Sequence, residues 1–419
     1  MNPQWLWRTT SPGAGAPDQN RMNQLTSQWS DLASRVRALM EACAGGSRLS
    51  SDRTSDSDSF NELALAVFRL QFEHVPAYQR LCTHRRLSPD KIMRWEDIPA
   101  VPTAAFKELD LTSLAPAERT AVFHSSGTTA QKPSRHFHNA ASLALYEASV
   151  LPWFGRHLLG DGSSLTILSL TPPAAQAPHS SLVHMFETVC RRYGAPDSGF
   201  VGKAEADGAW SINAEALGRA AGLAGEVRHP VLLLGTAFNF VQLLDGLDLC
   251  VETCSLPTGS RIMETGGYKG RTREIPKADL HAGLVERLGV LPAHIVSEYG
   301  MSELSSQAYD HAIAGERTEE RAGNPISPKI FSSRPIPPRV FHFPPWVRVQ
   351  ILSPETGREV ADGETGLIRV FDLANLRSVM ALQTEDLGVR RGDGFELLGR
   401  SGAAEPRGCS LMSWEGPGR

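Results

Sequence analysis

The sequence has few of the features that mark exported, membrane-spanning or nucleic-acid-binding chains. Six cysteines, widely spaced over 419 residues, do not make a disulfide framework, so we interpret them as free thiols. No apolar run reaches the roughly eighteen residues of a membrane span. Residues 1–20 have no apolar core of a signal peptide, which favours a cytoplasmic location. A net charge of -4 gives no general attraction to nucleic acid.

The composition is that of a globular chain, with 41% hydrophobic and 21% charged residues. Residues 1–57 are expected to be an N-terminal extension, partly disordered, with one amphipathic helix over 21–43 and a polar linker over 45–57. A capping box of Ser59 and Glu62 precedes helical spacing and predicts that the ordered domain begins at residue 58. That domain is expected to run to residue 400, followed by a short tail over 401–419.

Apolar runs alternate with helical periods through the middle of the chain. This order predicts a wound α/β fold, followed by a hairpin-rich β segment with a turn at 354–357 that closes the domain. The predicted strands lie at 165–170, 231–234, 295–296, 347–352 and 367–371, and the predicted helices between the first three lie at 181–192 and 238–249.

A stretch of small and hydroxyl-bearing residues over 124–135 is the clearest candidate for a ligand site. Small residues let a backbone approach a ligand, hydroxyls and amides donate to phosphate oxygens, and Lys132 and Arg135 add positive charge. The spacing is not that of a Walker A loop, which disfavours a P-loop NTPase. A plain surface turn is the alternative. The candidate phosphate-binding residues are Ser125, Ser126, Gly127, Thr128, Thr129 and Lys132.

Two later segments, 297–303 and 384–400, complete a set of three motifs with this loop. In this order the three resemble the signatures of the adenylate-forming superfamily of acyl-CoA synthetases and adenylation domains. More narrowly, the chain resembles the acyl-protein synthetases, the LuxE-type long-chain fatty acid–protein ligases. The resemblance covers roughly residues 60–412, and its marks lie at 101–107, 180–185, 266–269, 298–309 and 407–411.

The resemblance implies an adenylate-forming large domain that binds ATP and Mg2+. Glu303 would bind the cation, as a hard oxygen ligand. Only nineteen residues follow Arg400, so we expect the C-terminal lid of the superfamily to be truncated or missing. Ala130 and Glu385 stand where the family has glycine, and Ser302 replaces a threonine. The implied nucleotide residues are Gly266, Gly267, Tyr299 and Gly300 near the base, Asp386 on the ribose and Arg400 on ribose or phosphate.

The same resemblance implies activation of a long-chain fatty acid to acyl-AMP, transfer to a protein thiol and delivery to an acyl reductase partner. Cys409 would be the nucleophile, with Lys132, Glu303 and Arg400 assisting the first step. Cys409 could instead be an incidental cysteine in the tail. The competing functions are a phenylacetate-type acyl-CoA ligase and a degenerate nucleotide-binding scaffold subunit. Four histidines lie near these motifs: His124, His136, His138 and His184. Histidines in such positions are more often structural than catalytic, and His136 and His138 could instead face solvent.

Overall fold

The central layer is a six-stranded sheet in a computed structural model of the chain. Its strand order is β11-β10-β9-β8-β4-β5, and all neighbouring pairs are parallel except β10 with β11. The strands are β4 (Thr166–Ser169), β5 (Gly199–Phe200), β8 (Val231–Thr236), β9 (Arg261–Thr265), β10 (Ile295–Tyr299) and β11 (Ala308–Tyr309). The described residues are 19–44, 53–125, 132–160, 162–206, 210–213, 217–218, 229–248, 255–266, 275–313 and 339–400.

Helices cover both faces of this sheet because the buried strands are apolar on both sides. Val231 and Leu233 belong to one buried cluster, with α7 (Ala237–Asp248) and α8 (Lys277–Leu288). Leu232 and Leu234 belong to another, with α5 (Ala140–Leu158) and α6 (Ser181–Tyr193). The alternation follows the two-residue period of a strand. Because β9 and β10 pair in parallel, their carboxyl ends lie side by side.

A second sheet follows in the C-terminal part of the chain. The antiparallel strands β12 (Val347–Leu352), β13 (Thr365–Asp372), β14 (Ala381–Arg391) and β15 (Gly394–Arg400) pair in sequence order, and β1 (Val101–Pro102) pairs parallel with β14. The turn predicted at 354–357 joins β12 to β13, which confirms the hairpin-rich segment. Two hairpins lie apart from the sheets: β2 (Ala121–His124) with β3 (Arg135–His138), and β6 (Gly202–Ala204) with β7 (Trp210–Ile212).

The N-terminal helices pack onto the second sheet. Trp29 of α1 (Gln19–Ala44) and Phe60 of α2 (Arg53–His74) share one buried cluster with Phe371. The helix predicted over 21–43 is therefore confirmed. The linker prediction is wrong for 53–57, and the capping box is wrong, because α2 begins six residues before Ser59. Once a packed turn exists, each further helical residue is added at little cost. The division of the chain at residue 58 stays a prediction.

The predicted boundaries of the helices and strands in the middle of the chain are close to those observed. The predicted helices at 181–192 and 238–249 are α6 and α7, and the five predicted strands are β4, β8, β10, β12 and β13. Within the residues that the structure describes, no helix combines the length and apolar content that a membrane crossing requires. The short helices are α3 (Pro76–His84), α4 (Ala105–Glu108) and four 3-10 turns at Pro89–Lys91, Trp95–Asp97, Pro116–Glu118 and Pro292–His294.

Candidate functional site

The β2–β3 hairpin forms the neck of the predicted phosphate loop. His124 pairs with Arg135 at the end of the ladder, and the Ser125 hydroxyl accepts a hydrogen bond from the Ser134 amide at 3.0 Å. The chain is thus held closed on both sides of the loop. Ser126, Gly127, Thr128 and Thr129 lie outside the described residues, and their phosphate-binding roles stay predictions.

The two basic residues of the loop are engaged by carboxylates on neighbouring segments. Lys132 Nζ lies 3.2 Å from Glu108 of α4, and both side chains are at least half exposed. Arg135 lies 2.9 Å from Asp110. Ion pairs in such exposed positions contribute about 1 kcal/mol or less. Lys132 can therefore exchange Glu108 for a phosphate group at little cost.

The Ser302–Glu303 turn lies against this neck. Ser134 and Ser302 hydroxyl oxygens are 3.4 Å apart, and the Ser302 hydroxyl donates to Glu303 Oε2 at 3.0 Å. His136 Nδ1, on β3, lies 2.9 Å from the Ser302 carbonyl oxygen. These contacts join the phosphate loop to the predicted cation ligand, although 168 residues separate Ser134 from Ser302.

Glu303 fits a cation that takes its other ligands from a nucleotide. The carboxylate is mostly buried, and Oε2 accepts the hydrogen bond from Ser302. Among the described residues, no group of three or more His, Cys, Asp or Glu side chains could hold a metal ion. Mg2+ is commonly bound by one or two carboxylates together with substrate phosphates and water. A single buried carboxylate suits a Mg2+ ion that takes its other ligands from phosphates and water, and this role of Glu303 stays a prediction.

Tyr299 and Asp386 meet between the two sheets. The Tyr299 hydroxyl donates to Asp386 Oδ2 at 2.8 Å, so the predicted base residue holds the predicted ribose residue. The Tyr299 ring packs edge-on against Phe395 at 5.3 Å between ring centroids. Burial raises the pKa of Asp386, while the hydroxyl of Tyr299 and the charge of Arg400, its ladder partner on β15, act to lower it. Asp386 and Arg400 thus lie side by side on neighbouring strands, and their roles on ribose and phosphate stay predictions.

The glycines of the motifs differ in what the structure shows of them. Gly266 directly follows β9 and is exposed, whereas Gly267 lies outside the described residues. Gly300 directly follows Tyr299, and a Cβ atom there would collide with the Glu298 carboxylate. A side chain at position 300 would thus displace the Glu298 carboxylate, and the nucleotide-binding role of all three glycines stays a prediction.

Two buried carboxylates that the sequence reasoning gave no individual role lie on adjacent strands. Glu264 of β9 contacts Lys277 at 3.2 Å and His281 at 3.5 Å, and these partners lower its pKa although burial alone would raise it. Glu298 of β10 accepts a hydrogen bond from the Thr265 hydroxyl, and burial raises its pKa to about 7. The available signal was a glutamate just beyond the apolar pair of each strand, Ile262 and Met263 in β9 and Ile295 and Val296 in β10.

The histidines near the motifs are mostly structural. His136 and His138 are buried, so the alternative that they face solvent is wrong. His179 was not singled out from the sequence, and its ring stacks on that of His124 at 4.7 Å between ring centroids. Its Nδ1 donates a hydrogen bond to the carbonyl oxygen of Val122, because a carbonyl oxygen can only accept. Cys409 lies outside the described residues, so its role as nucleophile stays a prediction.

Comparisons with known proteins bear on the fold of the chain. No protein family model matches the chain. A long-chain-fatty-acid–luciferin-component ligase from Aliivibrio fischeri is 34% identical over 79 residues, a stretch that spans 17% of this chain and 21% of that ligase.

Two solved structures of 2-hydroxyisobutyryl-CoA ligase cover most of the chain at 13% identity. An open conformation in complex with 2-HIB-AMP and CoA gives a TM-score of 0.56 over 82% of this chain and 75% of that one. The postadenylation state with R3-HIB-AMP gives 0.54 over 81% and 67%. The sequence motifs, the sheet order and these likenesses together show that the chain has the α/β fold of the adenylate-forming acyl ligases.

Proposed function

We propose that the chain is an AMP-forming acid–thiol ligase that activates a long-chain fatty acid with ATP and transfers the acyl group to a protein cysteine. The observation that carries the proposal is the junction of separate motifs. The neck of the phosphate loop touches Ser302 and Glu303, and Tyr299 of the same segment holds Asp386. A nucleotide that used all of these residues would have its phosphates at one end and its ribose at the other.

The first half-reaction requires two anions to be held together. A fatty carboxylate oxygen attacks the α-phosphorus of ATP, the bond to pyrophosphate breaks, and a mixed anhydride with AMP forms. Lys132 and the hydroxyl-rich loop would hold the phosphates, and Glu303 would hold Mg2+, which spreads the developing negative charge when bound. Asp386 would accept from the ribose hydroxyls, since a carboxylate offers two acceptor oxygens.

The second half-reaction requires a thiolate. Its sulfur attacks the acyl carbonyl carbon, AMP leaves, and the thiol proton passes to solvent. Cys409 is our candidate, because Arg407 stands two residues before it in the sequence and a neighbouring positive charge would favour the thiolate. Cys82 and Cys190, the free cysteines among the described residues, are poor nucleophiles. Burial raises the pKa of Cys82 to about 11 and that of Cys190 to about 12, so both thiols stay protonated around pH 7. The resulting thioester would supply an acyl reductase partner.

Sequence similarity to a fatty-acid ligase supports the choice of substrate, and it extends over only a fifth of that protein. The test is to incubate the protein with ATP, Mg2+ and radiolabelled tetradecanoic acid, and to separate it on a denaturing gel with and without hydroxylamine. Hydroxylamine-labile label on the protein is expected, together with release of pyrophosphate.

Matched variants identify the thiol. Label is expected to disappear in Cys409→Ser and to remain in Cys190→Ser. Label that survives Cys409→Ser would contradict the assignment of this cysteine. Pyrophosphate release with label on added coenzyme A instead of protein would favour the acyl-CoA ligase alternative. Absence of both activities with any acid would contradict the ligase proposal and favour a scaffold.

A further inference from the structure

Two buried side chains hold consecutive backbone carbonyls next to the predicted cation ligand. His136 Nδ1 lies 2.9 Å from the carbonyl oxygen of Ser302, and Asn375 Nδ2 donates to the carbonyl oxygen of Glu303 at 2.8 Å. A carbonyl oxygen can only accept, so His136 Nδ1 carries the hydrogen. The turn is thus held from two directions, by β3 of the phosphate-loop hairpin and by the segment that follows β13.

Each of the two holding groups is itself fixed. The His136 ring lies between Phe106, edge-on at 6.0 Å, and His138 at 4.2 Å between ring centroids. Burial lowers the pKa of His136 to about 4, so the ring is neutral around pH 7 and keeps one N–H for Ser302. Both histidine rings are almost fully buried.

Asn375 is fixed by bonds at both ends. Its Oδ1 accepts from the Ser305 hydroxyl at 2.7 Å, and its carbonyl accepts from Gln71 Nε2 at 2.8 Å. Asp372 continues this support by accepting from the Ser305 amide at 2.9 Å and from the Ser306 hydroxyl at 2.8 Å. The segment from residue 302 to residue 306 therefore has little freedom to move.

We propose that His136 and Asn375 are positioning residues for Glu303, which hold its backbone so that the carboxylate faces the phosphates gripped by the loop. This inference rests on the proposed function, because it assigns Glu303 to a nucleotide-borne cation. Neither side chain is proposed to contact the nucleotide. Groups that orient a metal ligand from behind typically change metal affinity or activity by about 10–100-fold when removed.

The first experiment measures binding without turnover. Isothermal titration with α,β-methylene-ATP is carried out in Mg2+ and again in EDTA, for wild type, His136→Leu and His136→Asn. We expect His136→Leu to weaken binding about tenfold in Mg2+ and little in EDTA. His136→Asn is expected to recover most of the loss, because an asparagine amide can place a donor where Nδ1 lies.

His138→Leu is the matched control. His138 lies two residues along the same strand, is equally buried, and contacts Ser142 at 3.3 Å through Nδ1, not the turn. His138→Leu removes the ring that packs on His136 at 4.2 Å between centroids but leaves the bond from His136 to Ser302, so it separates ring packing from that hydrogen bond. Its Mg2+-dependent binding is expected to match that of wild type once melting curves show that each variant is folded.

The second experiment needs no ligand. Amide hydrogen exchange is followed at Leu304, whose N–H donates to Met301 O at 3.1 Å within the turn. Exchange is expected to be faster in His136→Leu and in Asn375→Leu than in wild type or His138→Leu. Because both groups hold one turn, the double variant is expected to weaken Mg2+-dependent binding by less than the product of the two single effects.

The outcomes separate this inference from the proposed function. Equal losses in His136→Leu and His138→Leu, or no recovery in His136→Asn, would mean that the histidine only fills the core. Unchanged exchange at Leu304 would overturn the inference even if binding fell. Wild type that binds the analogue equally in Mg2+ and EDTA would overturn the assignment of Glu303, and the inference with it.

Discussion

The two buried carboxylates Glu264 and Glu298 should respond to pH in opposite directions. They lie on adjacent parallel strands, one residue out of register, so their side chains point to opposite faces of the sheet. Their partners also differ, since Glu264 has Lys277 and His281, whereas Glu298 accepts from the hydroxyl of Thr265 and no ion pair to it is seen among the described residues. We predict the effect of replacing each with glutamine, which cannot ionise.

The expected magnitude for Glu298 follows from linkage. Its folded pKa of about 7 exceeds the ordinary value of 4.5, so its favourable contribution is fully present below pH 4.5 and is lost as the pH rises through 7. Each pKa unit corresponds to about 1.36 kcal/mol, which gives a total of about 3 kcal/mol. As the pH rises from acid to about 8, the unfolding free energy of Glu298→Gln should therefore increase by about 3 kcal/mol relative to that of wild type.

Glu264 should show the reverse. Its folded pKa is lowered, so its favourable contribution is present above the unfolded pKa and is lost as the pH falls through the folded value. Glu264→Gln should destabilise the protein at about pH 8, and the difference from wild type should shrink on acidification. The assay is urea denaturation of the three proteins between about pH 5 and about pH 8. A pH-independent effect of Glu298→Gln, or two variants that change in the same direction, would refute the reasoning.

Three further changes test contacts around the site and the N-terminal helix. Tyr299→Phe removes the hydrogen bond to Asp386, which is worth about 1 kcal/mol, and should raise the KM for ATP about fivefold in pyrophosphate exchange. The melting temperature should change little, and an unchanged KM would contradict the prediction. Gly300→Ala places a methyl group against the Glu298 carboxylate and should cost about 1–3 kcal/mol in urea denaturation, a loss that Glu298→Ala in the same chain should partly restore. Trp29→Ala should lower the unfolding free energy by about 3 kcal/mol in the same assay. A loss of less than about 1 kcal/mol would show that α1 adds little to the core.

Local patterns in the sequence predicted much of the fold. The strand at Val347–Leu352 was predicted with its observed bounds, and α6 ends one residue beyond the predicted helix. Both segments have an apolar pattern that matches one structural period. The start of α2 was missed because a run of serine and aspartate is read as a linker, whereas packing of residues such as Phe60 extends the helix to Arg53.

The site could be predicted only where a motif carries it. Glu303, Asp386 and Tyr299 were identified through family resemblance, and their contacts follow from the meeting of two sheets. The partners that fix the site were not readable, because Asn375 and His136 reach the Ser302–Glu303 turn from segments distant in the chain. Solvent exposure was an open alternative for His136, because burial depends on the segments that pack over it and no local pattern encodes them.

Gln71 has a consequence for the order in which the chain acquires its structure during synthesis. This fully buried side chain of α2 donates to the carbonyls of Asn375 and Leu376 and accepts from the Met380 amide, partners that lie more than 300 residues away. At about 5–20 residues per second, a ribosome needs roughly 15–60 s to make the intervening chain. Until then the Gln71 amide lacks these partners. Burying the amide without them would cost about 1–3 kcal/mol. These contacts of Gln71 therefore form later than the contacts of α2 with nearby segments, such as that of Phe68 with Tyr78.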